Sequence, residues 1–408
     1  MKKNVKEWKI GVAGSTGSIG KQTLDVVRHS KGSLKTSFLS CNNSLELMAE
    51  QIVEFLPETV VLPNSEKANI LKELLSYKIG KSAGDSLKRF SSEDIPEILI
   101  GRKGMREGVS EGDFDILVNG IMGIAGLEPT FFAVKSGKKV ALANKEALVT
   151  GGSIIIPLAK KKNVEIIPVD SEHSAIYQCL AGNKRKNLRK ILLTGSGGPF
   201  RGKTLKELEN VSVEDALKHP NWIMGKKITV DSATLMNKGL EYIEAKWFFE
   251  VKAHEIEVII HKESFIHSAV EFADGTIIAQ MGMPDMKLPI SYALTKPDRS
   301  DFKEESFSLL KMGNLTFEEP DLNTFKCLKL AMDVAYMEDS YSVVLNSANE
   351  VLVESFLKGD LEFLSIQKWV EKILDKHIPR KIPDLESILA LDKETRELVE
   401  KERKKVWI

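Results

Sequence analysis

Short runs that read as strands, most of them largely apolar, recur through the first 170 residues, at 9–13, 36–40, 59–62, 115–119, 139–142 and 164–169. Each is a strand's length. Helical spacing resumes between them, as from Lys21 to His29 through Leu24 and Val27. Apolar strands alternating with helices predict βα units on a parallel sheet covered on both faces. Farther along the pattern changes. Leu192 to Phe200 reads as a strand running into a glycine turn, and Ile228-Thr229-Val230 as a short strand ending in Asp231-Ser232. Strands at 257–260, 265–272 and 276–281 follow, with Asp274-Gly275 as a tight hairpin signal between the last two. Met283-Pro284-Asp285-Met286 and Leu288-Pro289 then lead into a Pro- and Asp-containing connector, and from residue 321 the period is helical. Val344, Ala348, Val351, Leu352 and Phe356 share one helix face, with Gly359 as a stop.

The expected architecture is α/β: an N-terminal Rossmann-like parallel sheet over 1–165 and a central α+β catalytic domain over 166–295. A linker over 296–320 and a C-terminal helical bundle over 321–408 complete it. The segment from Leu235 to Phe249 stands out within this plan. Leu235, Met236, Leu240, Ile243 and Trp247 fall on one arc of a helix, and Asn237, Lys238, Glu241 and Glu244 on the other. A polar arc with a cation and carboxylates reads either as a solvated face or as the wall of a binding site. Asn237 and Glu241, one turn apart, point the same way. Just upstream, His219-Pro220-Asn221-Trp222-Ile223-Met224-Gly225 has the make-up of a lid.

Composition narrows the function. Among 408 residues, 58 are basic and 58 acidic, so no general field draws the chain to nucleic acid and any anion must be held by local groups. Three scattered cysteines, Cys41, Cys179 and Cys327, fit a reducing compartment and exclude a disulfide scaffold or thiolate zinc cluster. No run approaches a membrane span, and the chain enters a strand almost at once, leaving no room for a signal or transit peptide. The expectation is a cytoplasmic protein with neither nucleic acid nor membrane as partner.

Four places carry candidate chemistry. Gly14-Ser15-Thr16-Gly17-Ser18-Ile19-Gly20, between a strand and a helix, lets backbone N–H groups approach a pyrophosphate, in the looser spacing G-x-x-G-x-x-G. The second strand ends in Ser40-Cys41-Asn42-Asn43, with no acid to meet a free ribose 2′-hydroxyl and no Arg or Lys for a 2′-phosphate. NADP is thereby favoured only modestly over NAD. Ala143-Asn144-Lys145-Glu146 lies at another strand end, where Lys145 is either an ordinary helix-start residue or a group facing nicotinamide and substrate. Asp170-Ser171-Glu172-His173 offers two carboxylates that share a face on extended chain and suit Mg²⁺ or Mn²⁺. The same residues also read as a helix N-cap and first turn, with His173 structural. The glycine turn at 195–198, Ser232, Asn237 and Lys238 together make a candidate phosphate site.

Six motifs in order, GSTGSIG (14–20), ALANKE (141–146), PVDSEHSAIYQ (168–178), LLTGSGGPF (192–200), HPNWIMGKKITVDSAT (219–234) and MNKGLEYIEA (236–245), resemble the 1-deoxy-D-xylulose 5-phosphate reductoisomerase family along the whole chain. The resemblance implies a homodimer whose central domain dimerises, and an NADPH- and metal-dependent conversion of 1-deoxy-D-xylulose 5-phosphate to 2-C-methyl-D-erythritol 4-phosphate in non-mevalonate isoprenoid biosynthesis. It implies that Asp170, Glu172 and Glu241 hold Mg²⁺, Mn²⁺ or Co²⁺. Lys145, Ser171, Ser196, His219, Ser232, Asn237 and Lys238 would surround a small phosphorylated sugar, with Trp222 and Met224 on the lid. Thr16, Gly17, Ser18, Ile19, Asn144, Glu146 and Gly225 would contact NADPH, whose 2′-phosphate end would meet Ser40, Cys41, Asn42 and Asn43. Many members carry a basic residue there, and this chain departs from them. Two other readings share parts of the pattern: a metal-dependent NAD(P) dehydrogenase acting on a simple hydroxy acid, and a nucleotide-sensing scaffold that kept the fold and lost the reaction.

Overall fold

The protein's structure is a computed structural model that describes residues 7–82, 90–220, 222, 224–300 and 308–404. The chain folds into two compact units. The first comprises 1–144, 157–169 and 286–302, and the second 145–156, 170–285 and 303–408.

In the first unit strands and helices alternate: β1 (Trp8–Ala13), α1 (Ser18–His29), β2 (Leu34–Ser40), α2 (Leu45–Phe55), β3 (Thr59–Leu62), α3 (Ser65–Ser82), β4 (Glu97–Ile100), α4 (Gly101–Glu111), β5 (Ile116–Asn119), α5 (Leu127–Lys135), β6 (Lys139–Leu142), α6 (Glu146–Lys162), whose residues up to 156 are counted with the second unit, and β7 (Ile166–Pro168). The seven strands form one sheet in the order β4-β3-β2-β1-β5-β6-β7, every pair parallel. The order reverses direction between β1 and β5, which puts the topological switch point beside the glycine turn that follows β1. Ile10, Val12, Leu39, Val60, Leu62 and Val118 are fully or almost fully buried at the centre of the core. That accounts for strands that read as unbroken apolar runs instead of alternating ones. β4, a short and partly exposed edge strand, gave no comparable sequence signal.

The second unit is built on α7 (Ser171–Leu180), β8 (Leu188–Gly195), the single-turn helices α8 (Leu205–Leu208) and α9 (Val213–Ala216), α10 (Lys226–Ala233), α11 (Met236–Phe248), β9 (Ile256–Ile260), β10 (Ile266–Phe272) and β11 (Ile277–Met281). Its four-stranded sheet has the order β11-β10-β8-β9, with β10 antiparallel to both neighbours and β8 parallel to β9. Gly275, at φ +84, closes the expected hairpin. α12 (Lys287–Thr295) belongs to the first unit, where Ile290, Ala293 and Leu294 enter the core and Lys287 pairs with Asp25 of α1 at 2.8 Å. The helices α13 (Lys326–Val334), α14 (Asp339–Leu357), α15 (Phe363–Lys376) and α16 (Leu385–Lys404) end the chain in the second unit, with α14 buried against α15 and α16.

Two expectations are corrected. Ile228-Thr229-Val230 is not a strand but the middle of α10. The Thr229 hydroxyl donates to the Gly225 carbonyl at 2.9 Å and Val230 is buried, so packing against α11 and α14 overrides the preference of β-branched residues for strands. The stretch expected only to lead into the connector, 287–295, is a helix, α12, whose Pro289 lies in the first turn, where a missing N–H costs nothing.

Candidate functional site

Pro168 ends β7 and Asp170 caps α7, its side chain accepting the Ser171 N–H at 3.1 Å. Glu172 then lies in the first turn of that helix. Glu241 comes from the middle of α11, a helix that starts after Leu235 at φ +60, an uncommon conformation for a bulky residue. One carboxylate oxygen from each of Asp170, Glu172 and Glu241 falls within a span of 4.8 Å. The helix-cap reading of the acidic motif is what the structure displays, and the cap faces Glu241. The carboxylates converge through the helix turn rather than through one face of an extended strand.

Two ammonium groups are folded into this cluster. Lys145 Nζ lies 2.8 Å from Asp170 Oδ2, 2.6 Å from Asn237 Oδ1 and 3.2 Å from Glu241 Oε1. Lys238 Nζ lies 2.8 Å from Glu172 Oε1 and also pairs with Glu241. The polar arc of α11 is no solvated face: Lys238, Glu241 and Glu244 are 4%, 1% and 0% exposed. Burial pushes the Glu241 carboxyl up to about 7, helped by Glu172 and opposed by both lysines. Burial also works against the ionised form of Glu172, but Lys238 and the Ser171 hydroxyl outweigh it and hold that carboxyl near 2. Burial disfavours the Lys145 ammonium, yet Asp170, Glu241 and Glu244 keep it charged, well above the usual lysine range. Behind the cluster His173 is fully buried and driven down to about 4 by that burial. Its Nε2 meets the Glu241 carbonyl at 3.0 Å, joining α7 to α11 as a structural histidine.

The glycine turn after β8 adjoins both α10 and α11. A Cβ on Gly195 would stand 2.7 Å from Lys238 Cε, and one on Gly198, at φ +70, only 2.4 Å from the Ser232 carbonyl oxygen. At 198 only glycine allows this approach, since the obstacle is backbone and φ is positive, whereas at 195 the Lys238 side chain would have to move. The Trp222 N–H donates to His219 Nδ1 at 3.0 Å, so the ring proton is assigned to Nε2, which lies 3.2 Å from Ser196 Oγ. Burial lowers His219 to about 4 and keeps it neutral near pH 7. Trp222 and Met224 are half-buried, the Trp222 ring 6.2 Å from that of His267. The rest of the expected lid includes positions 221 and 223, which lie outside the described residues.

In the first unit, Gly14 turns at φ +80, and a Cβ on Gly20 would stand 2.4 Å from the Gly14 carbonyl oxygen. α1 opens behind Gly17 with no side-chain cap, leaving its first amides to whatever sits before them. Thr16, Gly17, Ser18 and Ile19 line that opening, partly or fully exposed. The Ser40 hydroxyl accepts the Gly14 N–H at 3.0 Å and Cys41 is buried, so both side chains support the turn, while Asn42 and Asn43 face solvent. The Asn144 amide donates to the carbonyls of Ile121 and Gly123 at 2.6 and 2.8 Å and fixes the loop after β5. In the second unit, Glu146 pairs with Lys227 at 2.7 Å, just past Gly225 at the start of α10.

Sequence reasoning missed several residues. Lys67 Nζ donates to the Asn42 carbonyl and to Asn43 Oδ1, both at 2.6 Å, placing a cation where none was expected. Lys227 also pairs with Asp231 at 2.8 Å, and Asn349 of α14 donates to the other oxygen of Asp231 at 2.8 Å. Lys227 and Asp231 stand four apart within the 219–234 motif, but no short motif announces Lys67 or Asn349, whose partners lie far away along the chain.

Fold and site define an α/β protein with a dinucleotide-type glycine turn and a buried carboxylate cluster of a size to hold a hard cation. Comparison with known proteins gives the family. Signatures described as 1-deoxy-D-xylulose 5-phosphate reductoisomerase, its C-terminal domain, and DXP reductoisomerase C-terminal domain match residues 10–152, 166–249 and 281–398. The 1-deoxy-D-xylulose 5-phosphate reductoisomerase of Caldanaerobacter subterraneus subsp. tengcongensis is 48% identical over 392 residues, 96% of this chain and 98% of that protein. That of Ruminiclostridium cellulolyticum is 47% identical, over 94% and 96%. The solved structure of the Zymomonas mobilis reductoisomerase in complex with NADPH superposes with a TM-score of 0.87 at 37% identity, covering 98% of this chain and 99% of that one. A DOX-P reductoisomerase in complex with NADPH, fosmidomycin and magnesium gives the same values. The chain belongs to the 1-deoxy-D-xylulose 5-phosphate reductoisomerase family.

Proposed function

We propose that this chain converts 1-deoxy-D-xylulose 5-phosphate to 2-C-methyl-D-erythritol 4-phosphate, moving a carbon branch and reducing the resulting aldehyde, with NADPH and a divalent cation, in isoprenoid biosynthesis. The observation that carries the reading is the convergence of Asp170, Glu172 and Glu241 within 4.8 Å, with Lys145 and Lys238 drawn in among them. Three carboxylates fit Mg²⁺, Mn²⁺ or Co²⁺, and hold one while leaving positions for substrate oxygens. When bound, the cation supplies a Lewis acid that draws electrons from a carbonyl and its neighbouring hydroxyl.

The chain's own groups do the rest. Lys145, held beside Asp170 and Glu241, carries positive charge to the reacting hydroxyl. Ser196, His219, Ser232, Asn237 and Lys238 hold the phosphate: neutral His219 offers its Nε2 proton, and the glycine turn brings Ser196 toward Ser232 and Lys238. Ser171 steadies Glu172, and Trp222 and Met224 cover the sugar and exclude water. NADPH, when bound, supplies the hydride. The turn at 14–20, closed so tightly that a Cβ on Gly20 would strike the backbone of Gly14 and Ser15, fits its pyrophosphate against the open start of α1.

We read residues 1–165 as the cofactor region, 166–295 as the catalytic and dimerising region, 296–320 as a linker and 321–408 as its helical support. A homodimer is supported by the edge strand β11, where Ile277 and Ile278 are 58% and 37% exposed, and light scattering at twice the chain mass would bear it out. Three buried free cysteines fit the reducing cytoplasm. No helix among the described residues is long and apolar enough to cross a membrane.

The deciding experiment follows NADPH oxidation with 1-deoxy-D-xylulose 5-phosphate, with and without EDTA and with Mg²⁺ restored. Turnover that depends on substrate and cation is expected. Oxidation that ignores EDTA, or that proceeds equally with a simple 2-oxo acid, would overturn the reading.

A further inference from the structure

In a dinucleotide-binding unit the ribose bearing the 2′ position lies at the carboxyl end of the second strand. Here that end is tied to the phosphate turn: Gly14 N–H donates to Ser40 Oγ at 3.0 Å and Ser15 N–H to the Ser40 carbonyl at 2.9 Å. The residues beyond it, Asn42 and Asn43, are exposed and uncharged, and no acid stands there to take a free 2′-hydroxyl. A cation reaches the spot from elsewhere. Asn64 Oδ1 accepts the Lys67 N–H at 2.9 Å in the first turn of α3, and the half-buried Lys67 side chain then runs to the end of β2. Its ammonium is clamped by the Asn42 carbonyl and Asn43 Oδ1, both at 2.6 Å. These contacts use two of its three donors, and no carboxylate pairs with Lys67 among the described residues. Since Asn43 turns its oxygen to the lysine, its amide hydrogens face away and are available to an anion.

We propose that Lys67 is the residue with which this chain recognises the 2′-phosphate of NADPH, a cation supplied by α3 in place of the basic residue that many relatives carry at the end of β2. The proposal rests on the reading of NADPH as cofactor and deepens it. An ammonium fixed by two oxygens is already positioned, so a phosphate entering between it and the amides of Asn42 and Asn43 gains a charge-assisted hydrogen bond without ordering a free side chain. NADH, with a hydroxyl at that position, gains little from the same charge.

The test is equilibrium binding to the full-length protein, without substrate, of NADPH, NADH and 2′,5′-ADP. Loss of a hydrogen bond to a charged group predicts that K67M weakens NADPH and 2′,5′-ADP about 10- to 100-fold. NADH should stay within about twofold, and K67R should restore most of the NADPH affinity. K67E, which places an acid at the site, should reverse the preference toward NADH. A lysine that only clamped the 42–43 turn would weaken both dinucleotides alike on removal, and that result, or unchanged NADPH binding, overturns the proposal. A wild-type protein that bound NADPH and NADH equally would instead remove the reading of NADPH as cofactor, and the role of Lys67 with it.

Discussion

At the scale of single residues, the site is a set of charges held against their solvation preference. Glu241 is the most constrained of them, since it meets two lysines and two other acids while fully buried. Replacing Glu241 by Gln, or Asp170 by Asn, is expected to cut turnover by about 100-fold or more. For Glu241→Gln the melting temperature should hold or rise, because burial already disfavours the charged form of that carboxyl, whereas Asp170→Asn should lower it by taking a partner from buried Lys145; near-wild-type rates at saturating Mg²⁺ would end the metal assignment. The titration has a direction. The Glu241 carboxyl is raised from 4.5 to about 7 in the fold, so the metal-free protein should lose stability as pH rises across that interval. Cation affinity should rise through the same interval and level off above it, because the ion displaces a proton. Calorimetry in buffers of different ionisation heat should find about one proton released per ion at pH 6 and almost none at pH 8.5. His173 works in the opposite sense: its value falls from 6.5 to about 4, so stability present above pH 6.5 is lost on acidification toward pH 4. Asp170, Glu172 and Lys145 were legible in the sequence because they sit in compact motifs at strand ends, and Glu241 because it lies on the polar arc of a helix that also carries Asn237 and Lys238. Lys67 was not, since its partners lie 24 and 25 positions away and nothing in a Ser-Glu-Lys helix start points to them.

At the scale of elements, close approach decides more than propensity. The turn at 195–198 was legible as a glycine loop, but its necessity comes from the backbone of α10 and the side chain of Lys238 pressing on it. Gly198→Ala must hold an L-residue at φ +70 with its Cβ 2.4 Å from the Ser232 oxygen. It should cost at least about 1–2 kcal/mol of stability and raise KM for the phosphorylated substrate more than it lowers kcat; chemical denaturation with steady-state kinetics would check both. α10 was misread because Ile-Thr-Val carries a strand signal, and only its buried neighbours make it helical. Those neighbours reach into the C-terminal helices. Asn349 of α14 orients Asp231, which with Glu146 fixes Lys227 directly after the 219–225 segment. Asn349→Ala leaves a buried carboxylate oxygen without its donor and should cost about 1–3 kcal/mol, read as a lower denaturation midpoint at unchanged m-value.

At the scale of the whole molecule, the seven-stranded sheet was legible because parallel strands buried on both faces write themselves as apolar runs. The return of α12 to the first unit was not, as its Ile290, Ala293 and Leu294 fall in a proline-containing stretch that reads as the end of the central domain. Since the 58 acidic and 58 basic residues cancel, there is no broad field to gather a phosphorylated sugar. Its kcat/KM should therefore change by no more than about threefold between 50 and 300 mM salt at fixed Mg²⁺, and a steep decline would point to long-range steering. Locally the balance differs. Above pH 7, where Glu241 is ionised, Asp170, Glu172 and Glu241 set against Lys145 and Lys238 leave one surplus negative charge, and a dication makes the surplus positive. An anionic sugar arriving too early is repelled by the very chamber that later welcomes it, so the inorganic ion must enter first and the sugar second.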